Sequence, residues 1–302
     1  MLDRLFYEDR DVLLQDLHTV ALLGYLGVLF VLALLFSHPL YLLAVLAAGA
    51  LGVAAAGALE KWEFYLKFGL WMALLIMVLN PLVFHAGKTV IWQAGPVKVC
   101  LEAVCYGAAM GVRLLAVLTV CCLGSATVHP DKLLALFSRF AYKSALVAAL
   151  ATKMLPAAAR DLANAREVLQ VRGVDFEAGS FREKLKKHSW LFDILLVSSL
   201  EGALQIAEAM QARAFGSGPR SCYRRELARP RDAVCLAASL LALALSAYAK
   251  ASGSGDYTYY PRLAPLADGS SLILLLGILL ALSVPAILSW GWKHWPCLRS
   301  KI

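Results

Sequence analysis

A chain of 302 residues with 60% hydrophobic and only 17% charged residues has a mean hydropathy of +0.67. Soluble domains carry about 25% charged residues, so this composition excludes a soluble globular protein and predicts an integral membrane protein. The formal net charge is +8, and residues 125–231 hold 17 of the 29 Lys and Arg residues against 10 of the 21 Asp and Glu residues, a net +7. The positive charge is therefore local.

Six apolar runs are long enough to cross a membrane, because about 20 helical residues span about 30 Å of hydrocarbon. The runs cover residues 18–36, 40–59, 65–84, 99–123, 233–248 and 272–290. No signal peptide is predicted, since the N-terminal segment is acidic and lacks a small-residue cleavage site. Glu102 and Arg113 interrupt the fourth run. We expect Glu102 near the outer interface, and Arg113 paired or hydrated inside the bundle.

The position of the positive charge predicts how the chain is oriented. Loops rich in Lys and Arg stay in the cytoplasm, which places residues 125–231 and both termini inside the cell. The sequence thus predicts an N-terminal membrane region over 1–124, a cytoplasmic region over 125–231 and a C-terminal membrane region over 232–302. The outer link over 250–270 is rich in Gly, Ser, Pro and Tyr. It is predicted to be an irregular loop whose tyrosines sit among lipid headgroups.

Two long helices are predicted inside the basic segment because its apolar residues keep helical spacing. One covers residues 144–172 with a bend at Pro156, and the other covers residues 181–213. In the second helix three carboxylates form a polar stripe, made of Asp193, Glu201 and Glu208. The opposite apolar face is predicted to lie against the membrane interface or the transmembrane bundle. The side chains on this face include Trp190, Leu191, Ile194, Leu195, Leu200 and Leu204.

Both long helices end in the same way, as "LQVRGVDFEAGS" and "MQARAFGSGPRS", with Arg172 and Arg213 at the two ends. A cation in the last turn complements the helix dipole, and a glycine beyond it accepts a left-handed cap. A single such end is explained by capping alone. Two of them, 41 residues apart in the only large cytoplasmic segment, favour a second role, because a guanidinium fork fits the carboxylate of a partner protein.

These stretches, together with "MGVRLLAVLTVCCLGSATVHPDKLLALF" around Arg113, resemble the transmembrane T component of energy-coupling factor (ECF) transporters over residues 17–225. The resemblance implies an all-α polytopic membrane protein of about six transmembrane helices plus two long cytoplasmic coupling helices. It implies a scaffold and coupling subunit of an ECF-type ABC importer for vitamins or transition metals, located as a multi-pass protein in a prokaryotic cell membrane.

The implied partners are two ECF ATPase subunits, as a homo- or heterodimer, and a substrate-binding S component clamped by the apolar helix faces. The residues that match the ATPase-docking motifs are Val171, Arg172, Gly173, Ala212, Arg213 and Ala214, with Gly216 and Gly218 shaping the helix ends. Ala214 stands where the second motif more often carries Gly. Because Ala adopts a left-handed cap less easily, we expect the second helix to run on towards Gly216 before it turns.

No catalytic, cofactor-binding or metal site is predicted. The histidines are scattered singly, and "AGKT" at residues 86–89 lacks the first glycine of a P-loop. The chain is therefore predicted not to be an enzyme, and we expect partner chains to hydrolyse ATP. The cationic start of the second long helix favours contact with membrane lipid over nucleic acid. The alternative function is a self-contained channel or secondary transporter, with Glu102 and Arg113 lining its pathway.

Overall fold

The computed structural model describes residues 12–83, 89–94, 97–176, 178–218, 227, 229–260 and 269–294. These residues are overwhelmingly helical, which confirms the all-α polytopic fold class. The helices are α1 Leu13–Asp16, α2 Thr19–Leu35, α3 Pro39–Ala55, α4 Leu59–Val83, α5 Leu101–Thr127, α6 Pro130–Phe137, α7 Tyr142–Val171, α8 Phe181–Ala212, α9 Pro230–Ala251 and α10 Gly269–His294. Between α4 and α5 lies one antiparallel pair of strands that the sequence did not predict, β1 Val90–Ala94 and β2 Val97–Cys100.

The chain forms two compact units. The bundle unit comprises Met1–Leu133 and Glu226–Ile302, and the helix-pair unit comprises Leu134–Arg225. The bundle unit thus holds α1 to α5 and α9 to α10, and the helix-pair unit holds α7 and α8, with α6 crossing the boundary. The helix-pair unit is one continuous insertion between two parts of the bundle chain.

Among the described residues, five helices are long and apolar enough to cross a membrane, namely α4, α5, α8, α9 and α10. All six predicted spans are helices, but α2 and α3 have 17 residues each, or about 25 Å at 1.5 Å per residue. The unexpected member is α8, which was predicted to be cytoplasmic. Its charged residues are concentrated in the first two turns and then widely spaced, so a long apolar window remains. Length and composition alone do not distinguish a spanning helix from one that lies along the membrane surface.

The core of the bundle unit forms around α5, which packs against α2, α3 and α4, while α9 and α10 pack against each other and against α2 and α3. Buried tyrosine side chains also form hydrogen bonds between helices of the bundle. The Tyr25 hydroxyl donates to the carbonyl of Leu282 at 3.1 Å, and the Tyr41 hydroxyl donates to that of Ser271 at 3.0 Å. Each ring is thus packed while its polar end is paired inside the bundle.

Two glycines of α5, spaced as G-x-x-x-G, allow α4 to approach closely. A Cβ built on Gly111 would lie 2.9 Å from the Cβ of Ala73, and one built on Gly107 would lie 3.1 Å from the Cα of Met77. Asn80 extends the same contact by donating to the carbonyl of Ala103 at 2.7 Å. Small residues at such a crossing increase van der Waals contact between membrane helices.

Three of the scattered histidines are helix caps. His18 and His38 precede α2 and α3, and each Nδ1 accepts the backbone N–H two residues later, at 3.2 and 3.3 Å. His129 accepts the N–H of Asp131 in the same way at 3.1 Å, at the start of α6. Each ring thereby pairs one of the backbone donors that an α-helix leaves open at its beginning.

We predict that Gly111→Ala destabilises the bundle unit by about 1–3 kcal/mol, because the new methyl group overpacks the crossing of α4 and α5. The measurement is the unfolding midpoint of the detergent-solubilised protein, followed by tryptophan fluorescence. Gly27→Ala in α2 is the matched control, since nothing lies within 4 Å of a Cβ at that position. Ala73→Gly should restore much of the loss on the Gly111→Ala background, and equal midpoints for Gly111→Ala and Gly27→Ala would contradict the close crossing.

We predict that His38 makes stability fall in mild acid. Burial lowers the pKa of His38 below its usual 6.5, so the folded state keeps the ring neutral and its Nδ1 available to the cap. As the pH falls through about 6.5, the unfolded chain binds a proton that the folded chain does not, and folding stability declines. Unfolding midpoints measured between about pH 7.5 and pH 5 should therefore fall more steeply for the wild type than for His38→Asn, which caps without titrating.

Candidate functional site

The helix-pair unit is built from two of the longest helices in the chain. Helix α7 has 30 residues and continues through Pro156 without interruption, and α8 has 32 residues. Helix α8 begins with a capping box, in which the Ser180 side chain and the Glu183 side chain pair each other's backbone N–H groups. The two helices extend to the boundaries predicted from the sequence to within about two residues.

Aromatic contacts show that α7 and α8 run in opposite directions. Tyr142, at the start of α7, packs against Phe215, just after the end of α8, with ring centroids 6.2 Å apart. Phe176, just beyond α7, packs against His188 near the start of α8 at 5.6 Å. A 30-residue helix is about 45 Å long. Arg172 and Arg213 therefore lie at opposite ends of this pair, about 45 Å apart.

A compact connector joins the end of α7 to the start of α8. Phe176 is only 3% exposed and lies under the guanidinium of Arg166, 5.8 Å from the ring centroid. The ammonium group of Lys187 donates to the carbonyls of Asp175 at 2.6 Å and Ala178 at 2.7 Å. These contacts hold the connector against both helices, so the position of the α7 end is well defined.

Helix α7 ends in a Schellman cap. Gly173 has the left-handed φ of +87° that the cap requires. Its N–H bonds to the carbonyl of Gln170 at 2.9 Å, and the N–H of Val174 bonds to the carbonyl of Leu169 at 3.0 Å. Arg172 is the last residue before the left-handed turn, so its backbone is fixed by the bonds on either side.

Helix α8 ends in the same cap, with Ala214 in the position that Gly173 occupies. Ala214 has a φ of +54°, its N–H bonds to Gln211 at 2.9 Å, and the N–H of Phe215 bonds to Met210 at 3.0 Å. The expectation that α8 would run on towards Gly216 is wrong. The left-handed conformation costs an alanine about 1–2 kcal/mol, and the two cap bonds and the packing of Phe215 on Tyr142 offset that cost.

The side chains of Arg172 and Arg213 are both exposed. Within the described part of the chain, neither guanidinium makes a side-chain hydrogen bond or an ion pair. Val171, beside Arg172, is 90% exposed. Ala212 and Ala214 flank Arg213 with nothing larger than a methyl group, and Gly216 and Gly218 follow beyond the cap. Each of these two helix ends, called tips below, therefore presents an arginine whose backbone is fixed by the cap and whose neighbours are small or apolar.

Glu102 and Arg113, the charges predicted in the fourth span, lie apart in the bundle unit. Glu102 is buried and accepts the backbone N–H of Thr89 at 3.1 Å as well as the hydroxyl of the same residue. The Nη2 group of Arg113 donates to the carbonyl of Phe36 at 2.7 Å. The structure does not bring these two charges together.

In the loop after α9, residues 252–260 are irregular, as predicted. Tyr257 and Tyr259 are 8% and 7% exposed and pack edge to face with ring centroids 4.7 Å apart, so both rings are buried within the protein. The Tyr259 hydroxyl donates to the carbonyl of Ser37 at 2.8 Å, which draws the loop onto the bundle. Loop packing of this kind has no periodic signal in the sequence. Residues 86–88 of "AGKT", Arg224, Arg225 and both chain ends lie outside the described residues.

The described fold is a polytopic helical bundle whose chain is interrupted by a long antiparallel helix pair with an arginine at each end. A family model described as "Cobalt transport protein" (CbiQ) matches residues 14–223. The energy-coupling factor transporter transmembrane protein EcfT of Streptococcus thermophilus is 27% identical over 187 residues, covering 58% of this chain and 70% of the relative. EcfT of Bacillus subtilis is 25% identical over 197 residues, with 62% and 74% covered. EcfT of Heliobacterium modesticaldum is 26% identical over 211 residues, with 64% and 79% covered.

The chain belongs to the CbiQ cobalt transport protein family, as an EcfT/CbiQ-type T component of ECF transporters. It is a multi-pass membrane protein.

We predict that Ala214→Gly stabilises the end of α8 by about 1 kcal/mol, because glycine adopts the left-handed φ without steric strain. Hydrogen exchange of the backbone amides of residue 214 and Phe215 should be about fivefold slower in the variant than in the wild type. Gly173→Ala is the matched control of opposite sign, since it introduces the same strain at the end of α7. Faster exchange in Ala214→Gly would contradict the cap described for α8.

Proposed function

We propose that this protein is the coupling subunit of an ECF importer and that Arg172 and Arg213 dock two ATPase subunits, one at each end of the helix pair. The observation that carries the proposal is the repetition of one geometry. Both arginines immediately precede a left-handed residue in a Schellman cap, and both guanidinium groups are without partners among the described residues. A helix cap alone does not require arginine at both ends.

The separation of the two tips supports docking to two subunits and not to one. Ends about 45 Å apart on a helix pair are too distant to enter a single groove. A dimer of ATPase subunits offers the same groove twice, at two distant places. An acidic groove would pair bidentately with each guanidinium, and the small neighbours Gly173, Ala212 and Ala214 would let the groove close around it.

The mechanism then follows from the stiffness of the helix pair. ATP binding and hydrolysis, carried out by the partner chains, would bring the two docked tips to new positions. The connector around Phe176 holds α7 and α8 together at one end, and the contact of Tyr142 with Phe215 holds them at the other. Movement at the tips would therefore turn the pair as one body. The substrate-binding S component would respond by releasing its vitamin or transition-metal cargo inwards.

The exposed apolar side chains of α7 and α8 are the proposed contact for the S component and the membrane interface. Large exposed apolar side chains follow both helices, including Val147, Leu155, Leu185, Phe192, Leu196, Leu200 and Leu204. We place α8 along the cytoplasmic surface and not across the bilayer. Its first two turns carry Arg182, Lys184, Lys186 and Lys187, and Asp193, Glu201 and Glu208 are all exposed. The positive-inside rule places both termini on the same side.

We predict that Arg172→Ala and Arg213→Ala each weaken ATPase binding and that the double variant loses it. Removing one arginine of a buried charge pair costs about 2–5 kcal/mol, or at least about tenfold in affinity. The measurement is the recovery of the co-expressed ATPase subunits of the same organism on detergent-solubilised protein, followed by ATP-dependent uptake in proteoliposomes with the S component.

Arg160→Ala is the matched control, because Arg160 is an exposed arginine in the middle of α7 and belongs to neither tip. It should recover the ATPases as well as the wild type. Gel filtration and membrane insertion of the double variant establish that it has folded. If the folded double variant binds the ATPases like Arg160→Ala, the arginines serve only as helix ends and the docking proposal is overturned.

A further inference from the structure

A small cavity in the bundle unit lies beside a half-buried cation, Arg113, about three helical turns along α5 from Glu102. Its volume is about 230 Å³, the space of several water molecules. The side chains around it that carry polar or polarisable atoms are Ser37, Tyr106, Met110, Arg113, Tyr257 and Tyr259. The helix pair does not contribute to it, so the cavity is independent of the proposed ATPase docking.

Arg113 is under-paired in this cavity. One Nη2–H donates to the carbonyl of Phe36 at 2.7 Å, and Nη1 contacts the sulfur of Met110 at 3.4 Å. Its Nε–H is buried without an acceptor. Among the described residues no carboxylate lies within ion-pair distance of the guanidinium. A full positive charge in so apolar a bundle is costly unless a negative group approaches it.

The other ionisable groups around the cavity do not supply that negative charge. Burial raises the pKa of Tyr259 to about 12, so its hydroxyl stays protonated and donates to Ser37. Burial lowers the pKa of the neighbouring His38, so this ring is neutral as well. The described lining thus consists of a cation, hydroxyl groups and apolar atoms, with no anion.

The walls of the cavity are fixed in place. Helix α2 ends at Leu35 and α3 begins at Pro39, and the backbone N–H of Ser37 between them donates to the carbonyl of Gly255 at 3.3 Å. The hydroxyl of Tyr259 donates to the carbonyl of Ser37. Tyr257 packs edge-on against His38 at 5.2 Å. The turn between α2 and α3 and the loop after α9 are therefore joined over Arg113 before any ligand arrives.

We propose that this cavity is an oxyanion site in which Arg113 binds a phosphate group. Arg113 lines the cavity, and each of its two Nη groups carries a second N–H beyond its contact to Met110 or Phe36. Such a fork of N–H groups matches the oxygens of phosphate, and the cavity admits a group of that size but not a drug-sized molecule. The phosphate comes either from a membrane phospholipid headgroup or from free inorganic phosphate. Its negative charge completes the pairing of Arg113 and stabilises the closure of the loop over α5.

Two measurements on the delipidated full-length protein distinguish the sources. Inorganic phosphate, compared with chloride at equal ionic strength, should raise the unfolding midpoint in a saturable way if free phosphate enters. Retention of phospholipid phosphorus through repeated detergent washing identifies a headgroup instead. For Arg113→Gln, the phosphate concentration giving half of the effect should rise about tenfold or more, or the retained phosphorus should be lost, because glutamine cannot form a charge-assisted hydrogen bond to phosphate.

Lys67→Gln is the control, since Lys67 is an exposed cation of α4 that forms an ion pair with Glu63 and does not line the cavity. Arg113→Lys keeps the charge without the fork and should give an intermediate effect. The two measurements on the wild-type protein test the site even if a variant does not fold. If wild-type protein shows neither saturable stabilisation by phosphate nor retained phospholipid, or if Arg113→Gln is folded and matches Lys67→Gln in both assays, the cavity is not an anion site.

Discussion

The structure depends on one constraint, the need to pair every backbone polar group of an apolar chain within the chain itself. Hydrocarbon offers no hydrogen bonds, so the apolar segments are helices and the ends of the helices need partners. His18 and His38 supply them at the beginnings of α2 and α3. Left-handed caps supply them at the ends of α7 and α8. The caps that satisfy the backbone also fix the bases of Arg172 and Arg213, so pairing and the proposed docking use the same residues.

The two tips are alike in backbone and different in side chains. Gly173 adopts the left-handed conformation freely, whereas Ala214 is held in it against a steric cost. The residue that follows is Val174 at one end and Phe215 at the other, and only Phe215 packs against the start of the opposite helix among the described contacts. The first tip is held by Phe176 on His188 instead, so both tips are braced by the opposite helix, through different residues. The two proposed docking surfaces thus share their backbone hydrogen bonds but differ in their side chains.

Periodicity and end signals made most of the fold predictable. The bounds predicted for α8, residues 181–213, match Phe181–Ala212 because a capping box begins the helix and small residues end it. What the sequence did not reveal depends on contacts across the chain. The packing of Tyr257 and Tyr259 requires the turn at Ser37, which lies 222 residues from Tyr259. The left-handed conformation of Ala214 runs against the intrinsic preference of alanine. It depends on the contact of Phe215 with Tyr142, which the sequence does not show. The strand pair was missed because its segment is short and lies between two long helices.

The chain leaves and re-enters the bundle unit beside the same short helix, α1. The chain leaves the bundle unit after Leu133 and returns to it at Glu226. On each side of this insertion, a cationic side chain is hydrogen-bonded to the backbone of α1. The ammonium of Lys132 donates to the carbonyl of Gln15 at 2.7 Å, and the guanidinium of Arg231 donates to that of Asp16 at 3.2 Å. Asp232 then accepts the backbone N–H of His18 at 3.1 Å. Within the bundle unit, α1 and the backbone just before α2 therefore hold both Lys132, at the start of α6, and the first turn of α9. Two segments that the insertion separates in the sequence are thus fixed at one place in the bundle.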